Sequence, residues 1–406
     1  MKIRSRYRPY NIRWFHLVVD LFYGTYLRTR YRMRAVGNEV FKRVRGPYVL
    51  VPIHQSLLDP FFVSAFVPQS IYWVTSDGNM RSTIMKSLLR LVGSIPKSKS
   101  IPDLETIGWI VDVIRKRGGV VGVFAEGQAS WDGHSQPIFP STGKLIKLLK
   151  VPVIVAIPKG AWSTLPRWSW RSRPGDIEVE YKLLMDATRI KTLTPDQIND
   201  ELVAAMEFDE AEWRAAHPVP HRCSRRARHL ELSLFMCPAC GKPGAMHSFR
   251  NHLYCAACGH VVRLSRLYRI MPVGPSVPRF ETVREWDLWQ RGALDELAAK
   301  AAPGVPLFSD LGVMMLKGYR MNPLRRLRTG TLVMYPDRIE LATLLGERIA
   351  FPLRALEGIA TLKQQLFEFY YQGFLYQFRF PLRHQSARKW QMAAEALLKV
   401  SPPAST

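Results

Sequence analysis

Residues 48–67 read YVLVPIHQSLLDPFFVSAFV. The first six form a short β-branched run. An Asp-Pro step, Asp59-Pro60, then opens an apolar segment of helical spacing, with Asp59 expected at the N-cap and Pro60 at the first helical position. A strand feeding a helix through a polar turn is the unit of an α/β fold, and the flanking sequence repeats it. IYWVTS (71–76), VVGVFA (120–125) and VPVIVAIP (151–158) read as further buried strands. Residues 80–92 and 104–117 read as helices, the latter ended by Gly118-Gly119. IEVEYKLL (177–184) alternates like an antiparallel or edge strand. An α/β domain with a mixed sheet flanked by helices is expected over residues 1–215.

Two further modules follow. A basic linker, RCSRRARH (222–229), precedes a cysteine module at 232–266. After a helical stretch at 281–302 the texture changes to seven short alternating strands and one amphipathic helix at 386–399. The stretch 305–400 resembles a pleckstrin-homology-like domain, mainly β. In that frame Lys317, Arg320, Arg325, Arg326 and Arg328 lie near an early loop, where they would meet acidic headgroups.

The chain of 406 residues carries 58 Lys+Arg against 33 Asp+Glu, a formal net charge of +25. A polyanionic partner follows, either nucleic acid, an anionic membrane surface or phosphorylated ligands. A composition 47% hydrophobic and 11% aromatic rules out disorder as the main state. Residues 1–45 hold 12 Lys/Arg and only Asp20 and Glu39 as acids. Within them, WFHLVVDLFYGTYL (14–27) suits either an interfacial helix in the headgroup region or a helix packed on its own domain. No uncharged apolar run reaches the ~18 residues of a spanning helix, and no secretory signal is legible.

Four of the five cysteines form two close pairs, Cys237-Pro-Ala-Cys240 and Cys255-Ala-Ala-Cys258, each followed by a glycine. Such paired knuckles aim four thiolates at one ion and suit tetrahedral zinc. A closed shell of four thiolates leaves no open position, so a structural zinc ribbon is expected. Cys223 is left as a lone thiol, and the pattern speaks for a reducing compartment.

Chemistry concentrates after the strands of the first domain. His54 and Asp59 lie five apart at a strand exit, where a carboxylate can orient an imidazole and support it as a base. Glu126-Gly127-Gln128 follows the strand 120–125 at the usual ligand edge of an α/β sheet. Gly93-Ser-Ile-Pro-Lys97-Ser-Lys99 is a short basic loop suited to a phosphate. Val151-Pro152-Val153 opens the strand 151–158. In this order the four segments resemble the boxes of the glycerolipid acyltransferase family, of lysophosphatidic-acid-acyltransferase type, over roughly residues 45–165. Residues 131–168 are similar to a bacterial branch of that family.

The resemblance implies direct acyl transfer from acyl-CoA or acyl carrier protein to the hydroxyl of a lysophosphatidate or related lysolipid. His54 would be the general base and Asp59 its orienting partner. Glu126, Gly127, Lys97 and Lys99 would bind the acceptor. The enzyme would work in phospholipid biosynthesis, peripheral on the cytoplasmic side of a membrane. Three departures stand out: Gln128-Ala129 replaces a Thr-Arg pair, Lys99 replaces an arginine, and Ala125 a proline. The lost guanidinium matters most, because it is the fork suited to a phosphate. Two other readings stay open: a catalytically inactive lipid-binding scaffold, and a nucleic-acid-binding zinc-ribbon protein. No RRM, KH or helix-turn-helix pattern supports the last, so no nucleic acid is expected.

Overall fold

The computed structural model describes residues 7–98, 103–221 and 223–400, apart from the Arg13 side chain. The chain divides into two compact units. One comprises Met1–Arg167 with Arg171–His221, the other Trp168–Trp170 with Arg222–Thr406. The chain thus visits the second unit for three residues, returns, and leaves at residue 222.

The first unit is built on a seven-stranded sheet of β1 (Arg34–Val36), β2 (Val49–Pro52), β3 (Ile71–Ser76), β4 (Ile95–Lys97), β5 (Val120–Gly122), β6 (Val153–Lys159) and β7 (Glu178–Met185). Their order is β1-β7-β6-β2-β5-β3-β4. All neighbours are parallel except β6 and β7, so the expected mixed sheet is observed. Two of the strands, β1 and β4, fall where no strand pattern is legible; each is three residues long.

Strand alternation sorts the core onto two faces. Val49, Val51, Val153 and Val155 pack with Ile110, Val113 and Ile146 of the helices Leu104–Arg117 and Ser141–Leu149. Leu50, Ile154 and Ala156 pack on the other face with Leu27, Tyr31 and Phe62. β2 lies between β5 and β6, all four of its residues buried. The carboxyl ends of β2, β5, β3 and β4 therefore meet at one sheet edge, which is where an α/β sheet places ligands.

In the second unit a four-stranded sheet runs β11-β10-β9-β8, from β8 (Met246–Phe249), β9 (His252–Cys255), β10 (Val261–Leu264) and β11 (Ile270–Pro272). The helix Val283–Ala299 follows. Next come β12 (Phe308–Gly318), β13 (Arg325–Met334), β14 (Arg338–Thr343), β15 (Arg348–Pro352), β16 (Glu357–Leu362), β17 (Leu366–Tyr371) and β18 (Phe374–Arg379), all antiparallel neighbours in the order β15-β14-β13-β12-β18-β17-β16. The helix Ala387–Val400 closes the chain's described part.

The stretches 232–266 and 305–400, separate in the sequence, share one core. Phe235 and Met236 of the cysteine module pack with Leu294 of the connecting helix and with Phe351, Phe378 and Trp390. A buried ion pair reinforces the junction. Arg388 reaches the Asp287 carboxylate at 2.6 Å and the Ser233 hydroxyl at 2.9 Å.

Candidate active site and candidate metal centre

His54 leaves β2 at the sheet edge, and the chain turns at once into the short helix Asp59–Ser64. Asp59 is fully buried and lies inside the first turn; Leu58 is the N-cap. The expected N-cap role of Asp59 is therefore corrected. Its Oδ2 instead reaches backward, accepting from the backbone N–H groups of Gln55 and Ser56 at 2.6 and 2.7 Å and standing 2.9 Å from Nδ1 of His54. Oδ1 is buried and accepts no hydrogen bond among the described residues. Burial raises the Asp59 pKa, and the His54 contact opposes that rise.

A carboxylate on Nδ1 calls for the proton on that nitrogen, which leaves the lone pair of Nε2 to act as base. The imidazole plane is held as well. Phe124 stacks on it with ring centroids 4.2 Å apart, and Trp73 stacks on Phe124 at 5.1 Å. The His54 side chain remains 16% exposed, so the ring is held without being sealed.

The loop after β5 grips the His54 backbone from both sides. Glu126 Oε2 accepts the His54 N–H at 2.9 Å, and the Ser130 N–H donates to the His54 carbonyl at 2.7 Å. The other Glu126 oxygen accepts the Gln136 N–H at 3.2 Å. Glu126 is only 4% exposed, and burial raises its pKa well above the usual carboxylate range, with Asp59 and Asp132 adding to the rise. This is the geometry of a brace under the histidine loop. Gly127 sits at φ +70° with the Phe139 ring against it, where an added Cβ would meet Cε2 at 2.3 Å. Only glycine fits this turn.

Lys97 ends β4, three strand spacings from β2, or roughly 14 Å. Its Nζ donates to the Ser98 carbonyl at 2.7 Å. His54, Asp59 and Glu126 thus form one hydrogen-bonded cluster, with Lys97 further along the same edge. Lys99 lies outside the described residues.

Sequence reading passed over Arg167. Its guanidinium donates to the Gln128 side-chain oxygen at 3.1 Å and to the Ala129 carbonyl at 2.8 Å, and lies over the Trp131 ring at 4.4 Å. A guanidinium thus reaches the loop after β5 from a position 38 residues further along. It is 2% exposed, so it holds the loop. The only trace in the sequence is an arginine between the tryptophan-rich ends of the 131–168 segment.

Residues 32–157 match the family model described as Acyltransferase. These residues form an acyltransferase domain. The match spans β1 to β6 and contains the whole His54 cluster. Among solved structures, the 1-acyl-sn-glycerophosphate (LPA) acyltransferase PlsC from Thermotoga maritima is similar at 16% identity, with 50% of this chain and 80% of that chain covered and a TM-score of 0.42. A chain of the 8S snRNP assembly intermediate is similar at 12% identity, covering 26% of this chain and 92% of its own, with a TM-score of 0.21. Among curated proteins none matches the chain. Beside the acyltransferase domain, the second unit supplies the other candidate centre.

The sulfurs of Cys237, Cys240, Cys255 and Cys258 all lie within 4.8 Å of one another. Cys237 and Cys258 are 3.6 Å apart, Cys240 and Cys255 3.8 Å. A tetrahedral ion with bonds of about 2.3 Å separates its sulfurs by about 3.8 Å, so the four cysteines are close enough to bind a metal ion. Gly241 and Gly259, at φ +69° and +75°, make the turns that follow each pair. No described residue adds a fifth ligand to this group.

Proposed function

We propose that the chain is a membrane-surface acyltransferase that moves a fatty acyl group from acyl-CoA or acyl carrier protein to the hydroxyl of a lysophosphatidate or related lysolipid. The observation that carries this reading is the His54–Asp59 pair, with Nδ1 committed to the carboxylate and the ring clamped by Phe124. In the proposed reaction Nε2 takes the proton of the acceptor hydroxyl. The oxygen attacks the thioester carbonyl, the carbon–sulfur bond breaks, and the imidazolium returns the proton to the departing thiolate. Asp59 supports the transient positive charge. No covalent enzyme intermediate is needed. Glu126 and Ser130 fix the height of His54 above the sheet, Gly127 gives the loop its turn, and Lys97 with Lys99 offers cations for an acceptor phosphate.

The surface of the first unit supports a lipid interface. The helical stretch Arg13–Arg30 exposes Trp14, Leu17, Leu21 and Phe22. The helix Thr83–Leu91 has no buried residue and exposes Ile84, Met85 and Leu88. The two are joined, since the Ile12 N–H donates to the Leu91 carbonyl at 2.9 Å and His16 Nε2 donates to the Val92 carbonyl at 3.2 Å. Among the described residues no helix is long and apolar enough to cross a membrane. We therefore read the chain as peripheral, held by apolar side chains and by its excess of cations. In this reading zinc fills the four-cysteine site as a structural ion. The seven strands and closing helix after residue 307 form a pleckstrin-homology-like domain.

Purified protein supplied with labelled acyl-CoA or acyl carrier protein and a panel of lysolipids is expected to release free thiol and form the acylated lipid, with His54→Ala inactive. Release that His54→Ala leaves unchanged removes His54 as the base. No release from either protein across the panel would favour a lipid-binding scaffold, the reading that the Gln128-Ala129 departure supports.

A further inference from the structure

The most exposed large apolar side chains among the described residues lie far along the chain from the acyltransferase domain. Leu344 and Leu345, at the tip of the β14–β15 hairpin, are each 95% exposed. The strand register shows what surrounds them. Gly330 pairs with Thr343, and β13 continues through Arg328 to Arg325, so the hairpin tip and the β12–β13 loop lie at the same end of the sheet. Gly318 pairs with Leu375, which brings the β17–β18 turn to that end too. Phe374 on that turn and Tyr319 on the β12–β13 loop are each about half exposed.

Cations fill the spaces between these apolar tips. Lys317 faces Arg325 across the β12–β13 pair, and its Nζ stands 3.9 Å from the centroid of the Phe374 ring. Arg326 and Arg328 follow on β13, and Arg348 opens β15. The acids nearby are matched. Glu347 binds Arg328 at 2.7 Å, and Glu340 lies between Arg338 and Arg348 at 3.2 and 3.1 Å. Two adjacent leucines in water gain nothing from a nucleic acid backbone, whereas a bilayer offers hydrocarbon beneath a layer of anionic headgroups.

We propose that the Leu344-Leu345 tip and the cations around it form a bilayer-inserting finger, which attaches the second unit to an anionic lipid surface independently of the apolar helices of the first. The finger is separate from the acyl-transfer reading and stands whether or not the His54 site is active.

The test uses the full chain and vesicles of phosphatidylglycerol and phosphatidylcholine. A background variant with Trp14, Leu17 and Phe22 changed to Asp silences the first unit's contact. In that background, Leu344→Asp with Leu345→Asp is expected to weaken vesicle binding about tenfold or more, and the milder Leu344→Ser with Leu345→Ser to weaken it in the same direction. Arg325→Glu with Arg326→Glu is expected to flatten the salt dependence of binding. In wild type, adding vesicles is expected to slow amide hydrogen exchange at 344–346. Binding by the background protein that is indifferent to both leucine pairs overturns the proposal, and so does unchanged exchange at the tip. A dimer in solution that the leucine changes dissociate also overturns it, since the occupant would then be a second copy.

Discussion

Oδ2 of Asp59 accepts three hydrogens, from His54 Nδ1 and from the Gln55 and Ser56 backbone, all within 2.9 Å. One oxygen thus fixes both the tautomer of the base and the turn that carries it. Substitution separates the hydrogen bonds from the charge. Asparagine can keep an oxygen in that place for all three donors, but it carries no negative charge to support an imidazolium.

Asp59→Asn is accordingly expected to remain folded, with its melting temperature close to that of wild type, while kcat falls by about 10³–10⁴. Both quantities are measured on one preparation. A kcat within a few-fold of wild type would remove Asp59 from the proposed mechanism.

Glu126 gives a pH signature. Its folded pKa lies above its unfolded value, so the protonated group favours the folded state. That contribution is complete below about pH 4.3 and is lost as pH rises through the raised folded pKa. Across that window wild type is expected to lose up to about 1.4 kcal/mol of stability per pH unit relative to Glu126→Gln. Denaturant melts of both proteins at several pH values read the difference. Parallel pH profiles would contradict the buried-acid assignment.

The dyad was legible in the sequence because His54 and Asp59 share one turn, so their spacing alone brings them together. Glu126 was legible at the strand exit, but its role in holding the His54 amide was not. That role depends on β2 and β5 being neighbours, which puts the 126 carboxylate beneath the 54 amide; a one-dimensional pattern holds no such information. Arg167 shows the same limit, since a side chain acting 38 residues away leaves no periodic trace. The α/β alternation was read from long buried runs such as Val153–Lys159, whereas β1 and β4 are too short for a period to register.

The second unit is expected to respond to metal as one body. Zinc near one per chain should be found, and removing it by chelation or by Cys237→Ser with Cys240→Ser should lower the stability of the whole unit. The reason is local. Met236, next to the first ligand, belongs to the shared core, and its carbonyl accepts the Trp286 indole N–H at 3.0 Å. Calorimetry with and without chelator checks this; an unchanged thermogram with full metal loss would count against it.

The buried pair in the same unit should be costly to break on one side. Asp287 is fully buried. Burial pushes its pKa up, but Arg388 and Arg291 outweigh that and hold it below the usual carboxylate value. Asp287→Asn is expected to cost about 3–5 kcal/mol by leaving Arg388 buried without its counter-charge. Because the folded pKa is depressed, the pair's contribution is present above about pH 3.9 and fades as pH falls through the lower folded value. Equilibrium unfolding at neutral pH checks the magnitude.

The brief passage of residues 168–170 through the second unit limits how this protein can be dissected. Ser169 accepts a hydrogen bond from the Gln364 side chain at 3.0 Å, Trp168 is wholly enclosed, and Trp170 sets its ring edge against His229. A protease or a gene truncation acting at residue 222 cuts the obvious linker but leaves this three-residue stitch behind. The enzyme half released that way would carry an uncovered tryptophan, and the other half would have a hole where it belonged.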